Sequence, residues 1–445
     1  YLLQVNFRRD GSSRFAPDSR WANFPSLSAG WVASEEQFIK NLDWNWLSFL
    51  KLRGSWGTLG NERITMSKDN TTVQNYYPYQ SALNFGSALF YSGNTVNSFL
   101  TAAQQYYAVR NISWETTETW DIGLDANFLD GRLHFTGDFY KKKTKDMLLA
   151  LEIPKFIGYD NPSVNTGNMH TTGYDLEIGW RDQVGDFRYS VSANLSDFIS
   201  KMGNLGGTEF LGEKVKMEGS QFDEWYGYLS DGLFQTQEEV DNSPKLNNNV
   251  TIGDIKYKDI SGPDGVPDGK ISSEYDRVLL GGSLPRYMFG VNLSASYKGF
   301  DISMMFQGVG SQNSRISRNM VEGLNTNWGG FPLILEGDYW STNNTAEQNA
   351  GVKYPRLTRN SVDANMSMSD YWMFNGRYLR MKNLTVGYTL PSVWTKKISM
   401  ESVRFYASGS DLFCLSKYPH GWDPEVSGTG YPITKSVLLG VSVTF

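Results

Sequence analysis

The sequence predicts an all-β protein, a transmembrane antiparallel β-barrel. Three observations lead to this prediction: segments in which apolar and polar residues alternate, short turns that alternate along the chain with long connections, and aromatic residues at the ends of the apolar stripes. A period of two places every second side chain on the same face of a strand. Such strands can face lipid on one side and water on the other.

The composition agrees with this fold class and argues against others. Aromatic residues reach 14%, charged residues only 20%, and the formal net charge is -6. No run of about 18 apolar residues is available for a membrane-spanning helix. The sequence has no stripe of basic residues that could bind a nucleic acid, so no nucleic acid is expected as a partner. The single cysteine, Cys414, excludes an internal disulfide framework.

The first predicted elements are a strand and a short helix. Leu3, Val5 and Phe7 already alternate as in a strand, so the chain is expected to be the carboxyl-terminal part of something longer. The segment from Ser34 to Leu42 begins with a potential serine cap and has two glutamates in its first turn. These features predict a short helix in the second connection.

Alternating strands joined by short turns follow, and about twelve strands are expected in all. The clearest strand pairs are 120–128 with 133–141, 173–181 with 187–195, and 287–297 with 300–307. In the strand 287–297, Tyr287 and Tyr297 flank aliphatic residues, as in the aromatic girdles of outer-membrane barrels. The last strand, 436–445, alternates in the same way and ends on Phe445.

Long segments separate these strand pairs. They cover roughly residues 60–112, 147–171, 199–284, 309–376 and 413–435. Compact soluble domains rarely contain so many long connections. Outer-membrane barrels have short periplasmic turns and long outer loops. We therefore expect these segments to be extracellular loops.

Six segments resemble the barrel of the SusC/RagA-type TonB-dependent transporters of Bacteroidetes. They span residues 7–41, 50–61, 225–240, 253–271, 378–391 (YLRMKNLTVGYTLP) and 410–445. The resemblance implies a barrel of about 22 strands filled by a plug. The strands of this sequence would be the carboxyl-terminal half of that barrel, with the plug domain and the TonB box absent from residues 1–445.

The resemblance also implies a function. Such proteins import an oligomeric nutrient across the bacterial outer membrane, commonly an oligosaccharide, under a SusD-like surface lipoprotein that acts as a lid. TonB supplies energy through the missing amino-terminal region, and the chain itself is expected not to be an enzyme. Two alternatives stay open. One is a peptide importer of the same architecture, and the other is a soluble or surface carbohydrate-binding β-protein or glycan hydrolase.

Two sets of residues are candidates for substrate contact. Aromatic faces beside hydrogen-bonding groups suit sugar binding. One set is Asn325, Asn327 and Trp328, and the other is Tyr76, Tyr77 and Tyr79. Packing within the loops, or contact with the lid protein, is the alternative for both sets.

One segment is a candidate for a structural Ca²⁺ ion, and no other cofactor is expected. Oxygen donors follow one another at short spacing with a glycine for a sharp turn, as Ca²⁺ loops require. The donors would be Asp259, Ser261, Asp264, Asp268 and Asp276. The segment resembles the family's D-x-N-G-D-G-x-I loop but departs from it by an insertion and by Ser261 in place of Asn. The alternative is a turn-forming role for the same residues.

Overall fold

Twelve antiparallel strands form one sheet in the computed structural model of the protein. The structure describes residues 1–42, 44–68, 71–93, 95–104, 107–151, 155–159, 161–207, 209, 211–322, 331–359, 362–426 and 430–445. The strands of the sheet are β1 (Leu2–Gly11), β2 (Trp21–Val32), β3 (Leu47–Asn61), β4 (Glu115–Phe128), β5 (Leu133–Lys145), β6 (Asn168–Val184), β7 (Phe187–Met202), β8 (Arg286–Tyr297), β9 (Phe300–Ser311), β10 (Tyr378–Thr389), β11 (Ser402–Ser416) and β12 (Ser436–Thr444). The all-β fold class and the expected number of strands are confirmed.

The order of the strands in the sheet is their order in the chain. Each strand pairs with the strand before it and the strand after it. Within the described residues, β1 pairs only with β2 and β12 only with β11, so the sheet is not closed. An open twelve-stranded sheet agrees with the expectation of half of a larger barrel.

Antiparallel pairing sends alternate connections to opposite ends of the sheet. The short-turn end carries residues 33–46, 129–132, 185–186, 298–299 and 390–401, and the long-connection end carries 12–20, 62–114, 146–167, 203–285, 312–377 and 417–435. One of the two-residue turns is Lys298 and Gly299, with φ of 46° and 90°. A Cβ atom at Gly299 would lie 2.6 Å from the Thr389 carbonyl oxygen, so glycine is needed there.

The helix predicted from Ser34 to Leu42 is shorter than expected. A 3-10 turn spans Ala33–Glu35 and a separate α-helix spans Gln37–Lys40, while Glu36 between them is extended. The Glu36 carboxylate accepts a hydrogen bond of 3.0 Å from the Trp31 indole. The expected helix start was therefore wrong, because Glu36 is bonded to the preceding strand and Ser34 caps nothing.

The connections contain short elements of their own. The strands pair as Thr65–Lys68 with Thr71–Gln74, Asn84–Ser92 with Thr95–Ala103, Leu148–Ala150 with Ser163–Asn165, Ser230–Leu233 with Ile255–Tyr257, Asn313–Arg315 with Met373–Asn375, and Glu224–Tyr228 between Lys214–Val215 and Arg277–Gly282. The α-helices are Gln237–Asn242, Arg318–Val321, Ala346–Gly351, Val362–Asn365 and Ser392–Thr395, and the 3-10 helices are Lys155–Ile157, Leu333–Leu335, Asp370–Trp372 and Lys396–Ile398. Among the described helices, none has the length and apolar character to cross a membrane.

The sheet has one apolar face, and its side chains remain exposed. Cross-strand pairs such as Leu52 with Leu124 lie on this face. Ile122 is 69% exposed, Ile178 is 49% exposed and Leu439 is 80% exposed. An apolar surface that continues across a whole sheet is expected to be covered in the native environment.

The buried apolar residues cluster in the long connections instead. The largest cluster is built from the connections 203–285 and 312–377. Its buried members are Tyr228, Leu233, Ile255, Tyr257, Ile271, Ile316, Val321, Leu335, Tyr354, Met366 and Trp372. In the described part of the chain, the hydrophobic clusters thus stabilise the long-connection end and leave the apolar face of the sheet bare.

Candidate functional site

The opposite face of the sheet carries charged and hydrogen-bonding side chains. On β3, Arg53 donates to Asp125 of β4 at 3.2 Å and to Asp138 of β5 at 2.7 Å. Gly123 of β4 lies between them, and a Cβ atom there would be 2.5 Å from the Arg53 guanidinium carbon. The missing side chain lets one arginine bridge three strands. We call this surface the polar face.

A second charged cluster lies at the long-connection end of the polar face. Arg380 of β10 is only 3% exposed and donates to Glu425 and Asp423, each at 2.6 Å. Lys382 donates to Asp411 at 3.0 Å and to Glu425 at 3.1 Å. We call residues 417–426 the strap. The ion pairs of Arg380 and Lys382 with Asp423 and Glu425 hold the strap against the polar face, and Asp411 of β11 adds a third carboxylate to the cluster.

A bulge makes this cluster possible. The pairing of β10 with β11 shifts between Met381 and Asn383, which leaves Lys382 and Asp411 in irregular positions opposite each other. Bulges re-aim side chains in this way. Arg380 and Lys382 consequently both reach the strap.

The two largest connections are joined through a fully buried carboxylate. Asp254 accepts hydrogen bonds from Arg356 at 2.8 Å, from the Asn365 amide at 2.9 Å and from the Thr251 backbone N–H at 2.9 Å. Arg356 and Asn365 belong to the connection 312–377, and Asp254 belongs to 203–285. The contact holds both connections in one assembly.

Burial raises the pKa of two tyrosines of this assembly. The Tyr257 hydroxyl donates to the Ala364 carbonyl at 2.7 Å, and burial raises the pKa of Tyr257. Burial, with a smaller contribution from Asp338, raises the pKa of Tyr354 to about 12. Tyr257 thus serves this assembly as a buried hydrogen-bond donor, and Tyr354 serves it by stacking on Trp372.

Asp254→Asn is expected to loosen this assembly. The substitution removes the fully buried charge that accepts from Arg356, and we expect the free energy of opening to fall by about 1–3 kcal/mol. Hydrogen exchange of the backbone amides in 203–285 and 312–377 measures this change. Asp231→Asn, which removes a partly exposed ion pair with Lys256, should change exchange little. Equal effects of the two variants would contradict the role given to Asp254.

The predicted Ca²⁺ segment is held by hydrogen bonds to its own backbone. The buried Asp276 carboxylate accepts from the N–H groups of Ile260 and Ser272, each at 2.7 Å. Asp259 accepts from the Gly269 N–H at 2.6 Å, and its second oxygen is buried without a partner in the described residues.

The segment's acidic side chains are not gathered around one point. Asp268 accepts from the Lys270 N–H at 3.0 Å, the Ser261 hydroxyl donates to the Gly262 carbonyl, and Asp264 is exposed. No group of three or more His, Cys, Asp or Glu residues suited to a metal occurs in the described ranges. A cation here remains a prediction.

The structure describes one of the two predicted substrate-contact sets. Tyr76 and Tyr77 are exposed, and the Arg14 guanidinium lies 5.1 Å from the centre of the Tyr76 ring. Tyr79 is half-buried and accepts a hydrogen bond of 3.4 Å from Gln80. Asn325, Asn327 and Trp328 lie outside the described residues. Both sets remain predictions.

The strap cluster was missed from the sequence. Arg380 and Lys382 are two apart on a strand, which places them on one face, but their partners in the strap are more than forty residues away. A periodic sequence pattern cannot reveal contacts between residues this far apart. The one feature that could have indicated the cluster is the pair of cationic residues, Arg380 and Lys382, within an otherwise regular strand.

Comparison with known proteins assigns the family. The family described as TonB dependent receptor-like, beta-barrel matches residues 1–409. TonB-dependent receptor P3 of Formosa agariphila is 29% identical over 441 residues, which cover 96% of this chain and 40% of the receptor. TonB-dependent receptor SusC of Bacteroides thetaiotaomicron is 28% identical over 465 residues, which cover 100% of this chain and 42% of SusC.

The fold is also similar to a solved structure of the RagAB peptide transporter. The TM-score is 0.77 at 23% identity, with 100% of this chain and 45% of that chain covered. This chain thus spans less than half the length of the relatives it matches. The predicted resemblance to SusC/RagA-type transporters is confirmed. The chain belongs to the TonB-dependent receptor β-barrel family, and its twelve-stranded sheet is part of an outer-membrane barrel.

Proposed function

We propose that the protein imports an oligomeric nutrient, in the first place an oligosaccharide, across the outer membrane. The observation that supports this proposal is the division of the sheet into an exposed apolar face and a hydrogen-bonding polar face. A barrel wall with this division keeps lipid outside and offers an interior that can bind hydrophilic molecules. The function is binding and passage, without covalent chemistry.

The long-connection end would face the outside of the cell. Buried hydrophobic clusters and the Asp254 contact hold the connections at this end together, so the end presents a folded surface to which a partner protein can bind. We propose that a SusD-like lipoprotein closes over this surface and that TonB supplies energy through a region outside residues 1–445. The three exposed or half-exposed tyrosines at 76, 77 and 79 would then lie where substrate enters.

Fractionation and uptake together test the proposal. The full-length protein is expected in the outer-membrane fraction, released only by detergent. Cells that express it with its lipoprotein should accumulate a fluorescent oligosaccharide, and deletion of TonB should reduce accumulation to the background. Recovery of the protein in the soluble fraction would favour a carbohydrate-binding protein or hydrolase instead. Uptake of labelled peptides but not of oligosaccharides would support the import function and identify the substrate as a peptide instead of an oligosaccharide.

A further inference from the structure

The apolar face of the sheet becomes cationic where β5 approaches the long-connection end. On this face Phe139 is followed by Lys141, Lys143 and Lys145, because alternate residues of a strand share a face. The register identifies the face, since Phe139 lies directly opposite Ile122 of the apolar stripe on β4. Three lysines therefore continue a column of side chains that faces lipid.

The two following strands widen this group of cations. Lys143 lies directly opposite His170 of β6, and His170 lies directly opposite Lys201 of β7. Neighbouring strands are about 4.8 Å apart, and alternate residues along one strand are about 7 Å apart. All of these side chains are exposed and can reach a single ligand. We call Lys141, Lys143, Lys145, His170 and Lys201 the basic patch.

The basic patch is complete within residues 1–445. Each of β5, β6 and β7 pairs with a strand on both of its sides. The apolar face is the outer surface of a barrel wall. Neither a plug nor further strands of a larger barrel would therefore cover these side chains.

The cations are local to this part of the wall. At the same end of β10, β11 and β12, the outermost residues on the apolar face are Leu379, Leu415 and Val437. The formal net charge of the chain is -6, so its composition does not account for a group of cations. The basic patch is a specific feature of β5, β6 and β7.

Aromatic side chains indicate the depth of the basic patch in the membrane. Trp120 and Phe139 are exposed on the apolar face, and the ring centres of Trp120 and Trp56 are 6.0 Å apart. Aromatic residues in such positions form a girdle at the membrane interface. Lys143 and Lys145 lie beyond this girdle, on the side away from the aliphatic stripe. Their ammonium groups are therefore at the level of the lipid headgroups.

Most of the positive charge in the basic patch is available to a ligand. Lys145 donates to the Glu118 carboxylate at 3.0 Å and is thereby occupied. Lys141, Lys143 and Lys201 form no ion pair with a residue that the structure describes. Ammonium groups bind phosphate as point charges. Three such groups above an apolar surface match a lipid that carries phosphate on its headgroup.

We propose that the basic patch binds the phosphorylated headgroup of lipopolysaccharide in the outer leaflet. The inference goes beyond import and rests only on the proposed orientation, in which the long-connection end faces the outside of the cell. Lys141, Lys143 and Lys201 would contact phosphate oxygens, and the His170 imidazole would donate an N–H to the headgroup. The acyl chains would lie on the apolar stripe below the girdle.

Native mass spectrometry of the full-length transporter with its lipoprotein tests the site. The complex, stripped of lipid in detergent, is titrated with four ligands: rough-type lipopolysaccharide, the same glycolipid after enzymatic removal of its phosphates, phosphatidylglycerol, and inorganic phosphate. We expect the phosphorylated glycolipid to bind more tightly than the other three. The double substitution Lys141→Gln and Lys143→Gln should weaken its binding by about thirtyfold, because each lysine near an anionic headgroup contributes about fivefold.

The matched control is Lys142→Gln. Lys142 lies between the two substituted residues but points to the polar face, where its ammonium group is 4.6 Å from the centre of the Tyr140 ring. The control removes the same charge and should leave glycolipid binding unchanged. The double substitution Lys141→Arg and Lys143→Arg keeps both charges and should retain binding.

Three results would reject the site. They are unchanged binding in the double glutamine variant, an equal loss in Lys142→Gln, and equally tight binding of the dephosphorylated glycolipid, phosphatidylglycerol or inorganic phosphate to the wild type. The comparison of ligands uses the wild type alone, so it is decisive even if a variant does not assemble. Oligosaccharide uptake is measured separately, so rejection of this site would leave the import function standing.

Discussion

Leu124→Arg and Val291→Arg are expected to prevent the barrel from assembling in the outer membrane. Both residues lie in the middle of apolar stripes, on β4 and β8. An arginine at the bilayer midplane of a barrel costs about 2–4 kcal/mol. The measurement is the amount of heat-modifiable, folded protein in outer-membrane fractions, which should fall severely for both variants.

Ser294→Arg is the matched control for this pair. Ser294 lies on the polar face of β8, and its hydroxyl is 2.7 Å from that of Ser190. It borders an open cavity of about 640 Å³, so a long cationic side chain has room and can stay in contact with water. We expect near-normal assembly. If all three arginine variants assembled equally, the assignment of the two faces would be wrong.

The strands could be predicted because their signal is local. Alternation with a period of two is visible within ten residues, and it predicted 287–297 and 300–307 where the structure has Arg286–Tyr297 and Phe300–Ser311. The same alternation identifies the lipid-facing stripe, since a charge there would be costly. The bulge in β10 is also visible in the sequence, because the alternation of apolar and polar residues shifts by one position at Asn383.

The connections could not be predicted in the same way. Asp254 and Arg356 are 102 residues apart, and nothing in the segment around either residue indicates the other. The acidic segment around Asp259 shows a further limit. Aspartates at short spacing can coordinate a cation, but they can equally accept hydrogen bonds from the backbone of their own turn, as Asp276 does. Spacing alone does not distinguish these two uses.

Arg380→Met is expected to release the strap from the polar face. Arg380 is almost completely buried, and its loss leaves Asp423 and Glu425 facing each other with Lys382 as the remaining cation of the described cluster. Removing one partner from a buried ion pair costs about 3–5 kcal/mol, because the other charge stays buried. Hydrogen exchange of the amides in residues 417–426 of the full-length transporter should rise accordingly, by about two orders of magnitude or more.

Two further variants identify the cause of this effect. Arg404→Met removes an arginine from the same face, but the Arg404 and Asp301 side chains are each about one third exposed. Its effect on stability should be below about 1 kcal/mol, and exchange in the strap should not change. Arg380→Lys keeps the charge but not the fork that contacts two carboxylates at once, so it should give an intermediate rate. Unchanged protection of the strap in Arg380→Met would show that Tyr418 and Trp422, which pack against the largest cluster, hold it without the ion pairs.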